Sequence, residues 1–421
     1  MAFDRGRILR AAVVVALLFC ACAGVVWAAV ERPNALDRSV DAISNRTLLT
    51  QPATALVDSP RQAAATRLAG LTLPGWLATA LFELLALAYF WSSGAAARWR
   101  DRLRARIGAQ WAVRFLFGAT LALVARAAAL LPAFYLYRVD RTMELTTMLT
   151  RTWALFYVFH TIVAMVVAGI IAAFVLWLVD RTHQWYVYTI VAILAVSVGW
   201  SYASPYFELP GANAIAPLSG PLGAGVRALV ARSGVPNVPV YVQTSRNSPI
   251  GEAFVVGLGA SRRIVISDTM LAGETPPEIL YEIAYEVGHI VHNDLVFIAL
   301  IEGGIIIVFS AVAVVIADRI GFRRDDDPLS RLALVGALLA AVYLVAVPVR
   351  NAALRSYVFD NDRYAVELTA DRAAAVRALV RSTDQRMEEV CPEMLTAFFL
   401  ATHPSSGQRI AAITGVPSGC P

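Results

Sequence analysis

Long apolar runs are the feature that most restricts how this chain can fold. Of its 421 residues, 58% are hydrophobic and 16% are charged, whereas soluble proteins carry about 25% charged residues. A helix needs roughly 17–25 apolar residues to cross a bilayer. We therefore predict a mainly α-helical membrane protein with about seven transmembrane helices. The runs are residues 11–30, 73–97, 111–137, 153–179, 185–203, 295–317 and 332–349.

Arginine supplies all of the basic charge, because the sequence contains no lysine. Five arginines lie in the short segment 98–106, between the second and third runs. Basic residues are enriched in cytoplasmic loops, so this segment is predicted to face the cytosol. Counting five runs from an inside N-terminus then places the following polar region on the outer side, whereas one early span fewer would place it in the cytosol. The basic residues flank apolar runs and form no separate basic face, which argues against nucleic acid as a partner.

The two ends of the chain leave alternatives open. Residues 11–30 follow three arginines, which favours a membrane anchor, but residues 26–28 resemble a weak signal-peptide cleavage site. Near the other end, Cys391 and Cys420 would pair in an oxidising compartment and stay thiols in the cytosol. We expect an integral protein of the bacterial inner membrane, with the lipid bilayer as one partner.

Turn residues and periodicity divide the chain into five segments. Pro and Gly enrichment marks a linker, and three β-type runs with a Gly-rich turn predict a small antiparallel sheet. The β-type runs are residues 239–243, 253–258 and 263–266, after a short helix near 226–232. The segments are 1–203 (membrane domain), 204–225 (linker), 226–294 (first part of a polar domain), 295–350 (two further spans) and 351–421 (second part of that domain).

A helix with a metal-site spacing begins in the first part of the polar domain. Thr275 and Glu278, separated by two prolines, form a capping-box start. Tyr285, Glu286 and His289 follow with the spacing of H-E-x-x-H. In that motif two histidines one helical turn apart hold zinc, and the glutamate activates water. Tyrosine occupies the position of the first histidine.

Four motifs in this order resemble those of the membrane zinc metallopeptidases that include the CAAX prenyl proteases and the HtpX-like proteases. The resemblance covers residues 226–413 and implies a zincin-type metallopeptidase domain that takes one zinc ion and acts on peptides or proteins. The motifs are Tyr285-Glu286-Val287-Gly288-His289, His292-Asn293-Asp294, the E-x-x-A-D segment from Glu367 to Asp371, and His403-Pro404 with Arg409-Ile410.

The resemblance implies a metal-binding role for several of these residues. His289 and Glu367 would be zinc ligands, and Tyr285 stands in the remaining, degenerate ligand position. Asp371 would orient a ligand through a hydrogen bond. Neutral tyrosine, with a reference pKa near 10, is a poor zinc ligand. We therefore expect zinc to be bound weakly or to be absent.

The resemblance also implies catalytic and substrate-binding roles. Glu286 would be the general base, and His403 would lie near the substrate or the transition-state oxyanion. Glu252, Ala253 and Phe254 stand where the family carries Asn-Ala-Phe on the strand that lines the substrate groove. The carboxylate at Glu252 therefore changes the charge and hydrogen bonding of the groove.

Three functions follow from this pattern. The slightly favoured one is a membrane-embedded metalloendopeptidase relative that is catalytically impaired or dead, because Tyr285 replaces a ligand. The alternative is an active membrane zinc endopeptidase that acts on membrane-associated or misfolded proteins. A transporter-like bundle, motivated by Glu83, Arg126 and Glu302 within the spans, is the least favoured.

Overall fold

The structure is a computed structural model that describes residues 10, 13–15, 17–21, 23–24, 31–33, 35–208, 215–235, 238–321 and 327–421. Within these ranges, six helical segments are long and apolar enough to cross a membrane. They correspond to six of the seven predicted runs. Half of the first predicted run, residues 11–30, falls outside the described residues.

Helices dominate the described part of the chain. The helices are α1 (Asn45–Thr50), α2 (Ala53–Leu56), α3 (Ser59–Ser92), α4 (Ala95–Arg106), α5 (Gln110–Thr142), α6 (Thr150–Arg181), α7 (Trp185–Glu208), α8 (Gly220–Arg232), α9 (Asp268–Gly273), α10 (Pro276–Val291), α11 (Asp294–Gly321), α12 (Pro328–Arg355), α13 (Val358–Thr369), α14 (Arg372–Arg386), α15 (Met394–Phe399) and α16 (Ser406–Thr414). The strands are β1 (Ile215–Pro217), β2 (Val240–Gln243), β3 (Ala253–Val256) and β4 (Arg263–Ser267).

The membrane bundle consists of α3, α5, α6, α7, α11 and α12. Helix α5 packs against α3 and α6, and α12 packs against α3 and α11. Small residues permit the close α5–α6 approach, as in other membrane helix pairs. A Cβ atom at Gly118 would lie 2.5 Å from the carbonyl oxygen of Ala168, and one at Gly169 would lie 2.7 Å from the ring of Phe115.

Charged residues within the bundle contact other helices. Glu302 of α11 forms an ion pair with Arg350 of α12, with an N–O distance of 2.6 Å. Arg126 lies 4.3 Å from the ring centroid of Tyr157 and within electrostatic reach of Glu83. These contacts explain the charges of the spans as links between helices. A transport pathway is not needed to account for them.

The sheet is mixed, which corrects the prediction of a purely antiparallel one. Its order is β1-β2-β4-β3, with antiparallel β1–β2 and β3–β4 pairs and a parallel β2–β4 pair. Strand β1 and the first turns of α8 lie in the segment predicted as a linker. Strand β3 ends the sheet, so one of its edges is free to contact α10.

A segment that precedes the membrane bundle is hydrogen-bonded to the polar domain. The side chain of Asp58 accepts the backbone N–H groups of Asp37, Arg38 and Arg61. The backbone N–H of Asp58 donates in turn to Asp384 of α14, at 3.0 Å. Burial, helped by the nearby Asp58 carboxylate, raises the pKa of Asp384 to about 7, although the hydrogen bond from the Asp58 N–H opposes this effect. This contact links the segment before α3 to α14, although the two are far apart in the sequence.

Replacing Asp384 by Asn is predicted to stabilise the protein more at pH 8 than at pH 5. Because the folded-state pKa lies above the ordinary value near 3.9, the folded state holds this proton longer than the unfolded state does. Stability therefore falls as pH rises from about 4 to about 7. Asparagine keeps the acceptor for Asp58 N–H without the charge. We expect a pH-dependent gain in melting temperature on the order of 5 °C.

Thermal unfolding of the purified protein in detergent at both pH values measures this difference. The exposed carboxylate of Asp360 offers a control, because Asp360→Asn changes the same charge outside the buried network. An equal shift for Asp384→Asn at the two pH values would show that this carboxyl titrates normally.

Candidate active site

Helix α10 forms as its sequence predicts and crosses the centre of the polar domain. The carboxylate of Glu278 accepts the backbone N–H of Thr275 at 2.7 Å, which completes the predicted capping box. The same carboxylate is fully buried and pairs with Arg381 of α14 at 3.0 Å. Tyr281 and Ile283 are completely buried on this helix, so α10 is positioned by apolar packing as well as by this ion pair.

Glu286 connects α10 to the free edge of the sheet. Its Oε2 atom accepts the backbone N–H of Val255 in β3 at 2.8 Å. The side chain is only 7% exposed, and this burial raises its pKa to about 7, against the opposing effect of the nearby His289. The predicted general base therefore lies beside the strand predicted to line the groove.

His289 is oriented by the carboxylate of Asp294. Its Nδ1 atom lies 2.9 Å from Asp294 Oδ2, and that oxygen also accepts the side-chain N–H of Asn361 at 2.8 Å. An ionised carboxylate only accepts hydrogen bonds, so in the contact with Asp294 the Nδ1 atom carries the proton and Nε2 is the unprotonated nitrogen. Histidines that bind metals are oriented in this way. His289 is thus the one predicted ligand with a geometry suited to a metal.

Tyr285 does not offer a comparable metal-binding atom. Its ring is 4% exposed and meets the His289 ring edge to face, with centroids 5.0 Å apart. Within the described part of the chain, its hydroxyl has no hydrogen-bond partner. Burial raises the pKa of Tyr285 far above its usual value, although Arg409 opposes this effect. The side chain is therefore a neutral phenol.

The guanidinium of Arg409 lies over the ring of Tyr285. It lies 5.0 Å from the ring centroid, and it makes two hydrogen bonds to Asp362, at 2.9 and 2.7 Å. Asp362 also accepts the hydroxyl proton of Tyr281 at 2.7 Å. This network links α10, α13 and α16. No role was predicted for Asp362, and Arg409 belonged to the Arg409-Ile410 motif without a predicted function.

Helix α13 presents one face to this network. Val358, Asn361, Asp362 and Ala365 are buried at helical spacing. A Cβ atom at Gly288 would lie 2.8 Å from Asn361 Oδ1, so the glycine of the motif permits this close packing. The repeated burial of positions three and four residues apart is the signal that could have identified Asn361 and Asp362 from the sequence.

The structure does not bring the predicted ligand Glu367 into the site. Glu367 is exposed and lies two residues from the buried Ala365, which on a helix is nearly the opposite face. Asp371 accepts the backbone N–H of Ala374 and caps α14. Among the described residues, no group of three or more His, Cys, Asp or Glu side chains could hold a metal ion.

The remaining predicted residues lie at the margins of this centre. His403 is exposed, contacts Thr402 through Nδ1 at 3.0 Å, and is within electrostatic reach of Arg409 and His289. Glu252 is exposed, while Ala253 and Phe254 are partly buried on β3. The structure thus gathers Glu286, His289 and Tyr285 at the centre, with His403 and the β3 segment nearby.

Strand β3 has main-chain groups directed away from its neighbour. Ser267 N–H donates to the carbonyl of Glu252 at 2.9 Å, and antiparallel pairs alternate between bonded and non-bonded positions. The N–H and C=O groups of Ala253 and Val255 therefore point toward the free edge. Such an edge can bind an extended peptide through main-chain hydrogen bonds.

Comparisons with known proteins agree with this architecture. The sequence profile of Peptidase family M48 matches residues 220–416. The chain is 27% identical over 288 residues to the uncharacterized metalloprotease YhfN of Bacillus subtilis, covering 65% of this chain and 67% of that protein. It is 27% identical over 211 residues to a protease HtpX homolog of Desulfotalea psychrophila, covering 45% and 71%. These matches confirm the predicted resemblance to membrane metallopeptidases.

The fold also resembles that of a solved membrane protein. The crystal structure of S. mikatae Ste24p superimposes with a TM-score of 0.71 and 17% sequence identity, covering 98% of this chain and 99% of that one. The similarity therefore extends over the membrane helices as well as the polar domain.

Removing the carboxylate of Asp362 is predicted to destabilise the protein by about 3–5 kcal/mol, because Arg409 would remain buried without a counter-charge. The Asp362→Ala variant should unfold at a lower temperature and lower denaturant concentration than the natural protein. In the control Asp360→Ala, the lost partner Arg363 is exposed, and little change is expected.

A second substitution separates charge from packing. The double variant Asp362→Ala/Arg409→Met removes both charges and should be more stable than Asp362→Ala alone. If Asp362→Ala unfolds like the Asp360→Ala control, the buried pair does not hold the site together.

Proposed function

We propose that this chain, whose residues 220–416 match the profile of Peptidase family M48, is a membrane metalloendopeptidase relative that has lost zinc-dependent hydrolysis and binds peptides in the groove beside β3. The observation that carries the proposal is Tyr285, a buried neutral phenol without a hydrogen-bond partner among the described residues. It occupies the position of a zinc ligand beside His289.

The donor set of the site does not fit a catalytic zinc ion. Such a site needs three protein ligands and an open position for water. Here His289 offers a suitably oriented nitrogen, but Tyr285 is neutral and Glu367 faces solvent. Glu286 lies on the same helix as His289, but its carboxylate is already bonded to the N–H of Val255. We therefore derive no hydrolytic step for this chain.

A second ligand position is lost at Val358, in our interpretation. The family pattern E-x-x-A-D places a glutamate four residues before an aspartate. In this structure the aspartate bonded into the site is Asp362, and the residue four positions earlier is Val358, which is 2% exposed on the same helix face. Valine cannot bind a metal. The segment from Glu367 to Asp371 has the same spacing but caps the next helix.

Peptide binding is the activity that survives these losses. The free edge of β3 keeps outward main-chain groups at Ala253, and Phe254 contributes a partly buried aromatic surface. Binding of an extended segment to a strand edge needs no metal. The site can therefore recognise an unfolded or extended peptide. The carboxylate of Glu252 favours basic residues in that peptide.

The competing function is an active zinc endopeptidase acting on membrane-associated or misfolded proteins. The observation in its favour is the intact arrangement of Glu286, His289 and Asp294. This function requires a third ligand from a residue that the described structure keeps away from His289. We therefore rank it second.

Restoring both lost ligands is predicted to restore zinc binding. The Tyr285→His/Val358→Glu variant should hold close to one zinc ion per chain, whereas Tyr285→His alone should hold far less, because two ligands do not complete the site. Elemental analysis of protein purified without chelators measures the zinc content. Peptide binding and cleavage are measured with fluorescent casein fragments.

Matched variants identify the residues responsible. Adding Glu367→Gln to the double variant should leave its zinc content unchanged, since that side chain is exposed. Adding Glu286→Gln should abolish any casein cleavage that the double variant gains. Full zinc occupancy in Tyr285→His alone, lost again on Glu367→Gln, would contradict the assignment of Val358.

We also infer that the polar domain faces the outer side of the membrane. Arg100 and Arg104 of α4 contact Ser330 and Asp327 at the start of α12, at 2.9 and 2.6 Å. These arginine-rich segments therefore share one end of the bundle, the end expected in the cytosol. Helix α12 crosses the bundle from that end to the polar domain. The disulfide Cys391–Cys420 suits an oxidising compartment.

Thiol labelling in intact cells is predicted to reveal this orientation. Cys391 and Cys420 should resist a membrane-impermeant maleimide, and they should react after treatment with a membrane-impermeant reductant. A Cys391→Ser variant should expose Cys420 to the reagent without reduction. Labelling of the natural protein that requires cell lysis would place the domain in the cytosol.

A further inference from the structure

A cavity with three arginines lies outside the active site, where α5 leaves the membrane bundle. Its volume is about 590 Å³, within the range of roughly 300–1,000 Å³ typical of ligand sites. The cationic and hydroxyl-bearing residues that line it are Arg32, Arg138, Arg141, Thr142, Thr146 and Thr147. Arginine and threonine are donors that phosphate oxygens accept.

The walls of the cavity join the membrane bundle to the polar domain. The loop between α5 and α6 is bonded to the loop before β3, since Thr147 N–H donates to the carbonyl of Asn247 at 2.9 Å. The hydroxyl of Thr146 donates to the same carbonyl, also at 2.9 Å. Arg141 donates to the carbonyl of Thr146 at 3.3 Å, a neutral partner that leaves its positive charge uncompensated by this contact.

Aromatic side chains indicate the depth of the cavity relative to the bilayer. Tyr137, just before Arg138, stacks on Trp153 of α6 with ring centroids 5.1 Å apart. Trp153 stacks in turn on Tyr157 at 5.3 Å. Tyr and Trp concentrate at the level of lipid headgroups, so the cavity opens at that level.

The helix surfaces below the cavity suit acyl chains. Leu131 of α5 is 42% exposed, and Leu155 and Phe159 of α6 are 71% and 60% exposed. Leu131 and Phe159 lie on the membrane side of Tyr137 and Tyr157, and Leu155 lies at the level of the aromatic residues, so these exposed side chains face the lipid. A ligand with a phosphate and two acyl chains would match both features. Its phosphate would lie in the cavity, and its acyl chains would contact the apolar surfaces of α5 and α6.

We propose that this arginine cavity binds the phosphate-bearing headgroup of an anionic phospholipid. Among the described lining residues, Arg32 and Arg141 already outnumber the carboxylate of Glu144, so an anion is the favoured occupant. A bound lipid would hold the α5–α6 loop against the loop that precedes the β3 groove. The site is independent of the metal-ligand positions and of the proposed loss of hydrolysis.

Native mass spectrometry of the full chain in detergent tests this proposal. The probes are phosphatidylglycerol, diacylglycerol with the same acyl chains, and glycerol 3-phosphate. We expect binding of phosphatidylglycerol and much weaker binding of the other two. Equal binding of diacylglycerol would overturn a role for the phosphate. Equal binding of glycerol 3-phosphate would overturn the lipid as the source and indicate a soluble phosphate ligand.

Charge variants locate the site. Arg138→Gln/Arg141→Gln should weaken phosphatidylglycerol binding roughly tenfold or more, because each lost guanidinium removes a charge-assisted hydrogen bond. Arg151→Gln is the matched control, since this exposed arginine lies at the same membrane boundary but outside the cavity. Glu144→Gln should tighten binding severalfold, an effect that misfolding cannot produce. Unchanged affinity in both the double variant and Glu144→Gln would overturn the proposal.

Discussion

The buried ion pair between Arg409 and Asp362 is the interaction on which the site depends. It joins α16 to α13, and through the hydroxyl of Tyr281 it reaches α10. Burying two charges is unfavourable unless both are fully hydrogen-bonded, and the two-point contact meets that condition. The pair fixes the α13 face that packs on Gly288 and His289. It also holds the Arg409 guanidinium over the Tyr285 ring, so the same interaction positions both the helices of the site and the residue at the predicted ligand position.

The chemistry of the site follows from what this packing leaves available. His289 keeps the orientation of a metal-binding histidine because Asp294 holds its Nδ1 atom. Glu286 is bonded to a strand N–H, and Tyr285 is a buried phenol whose pKa is raised by burial. A hydrolytic zinc centre needs three protein ligands, and this shortage of suitable donors is the basis of the loss of hydrolysis that we propose. The groove edge at β3 contains none of the predicted metal ligands, so the peptide binding that we propose requires no metal.

Much of the fold could be predicted from the sequence because its signals are local. Hydropathy predicted the six spans that the structure describes, and the Thr275–Glu278 cap predicted the start of α10. The parallel β2–β4 pair could not be read from strand composition, since pairing direction depends on residues far apart in sequence. Pro and Gly enrichment suggested a linker, but β1 and the start of α8 lie there because the edge of β2 offers main-chain hydrogen bonds to β1.

The site itself was harder to predict than the fold. The residues on α10 share one helix, so their spacing was sufficient to group them. Glu367 has the spacing of a motif, but burial shows that α13 turns Asp362 and Val358 toward the site instead. Spacing alone cannot choose between two segments nine residues apart that each place an aspartate four residues after a candidate ligand position. The choice is made by packing against Gly288 and by the partner Arg409, neither of which is local in sequence.

Zinc content of the natural protein is the most direct measure of whether catalysis has been lost. The full chain, purified without chelators and supplied with zinc, is compared with its His289→Ala variant by elemental analysis after desalting. The structure predicts well below one zinc ion per chain in both, with no casein cleavage by either. One zinc ion per natural chain that disappears in His289→Ala, together with cleavage that requires Glu286, would contradict the account.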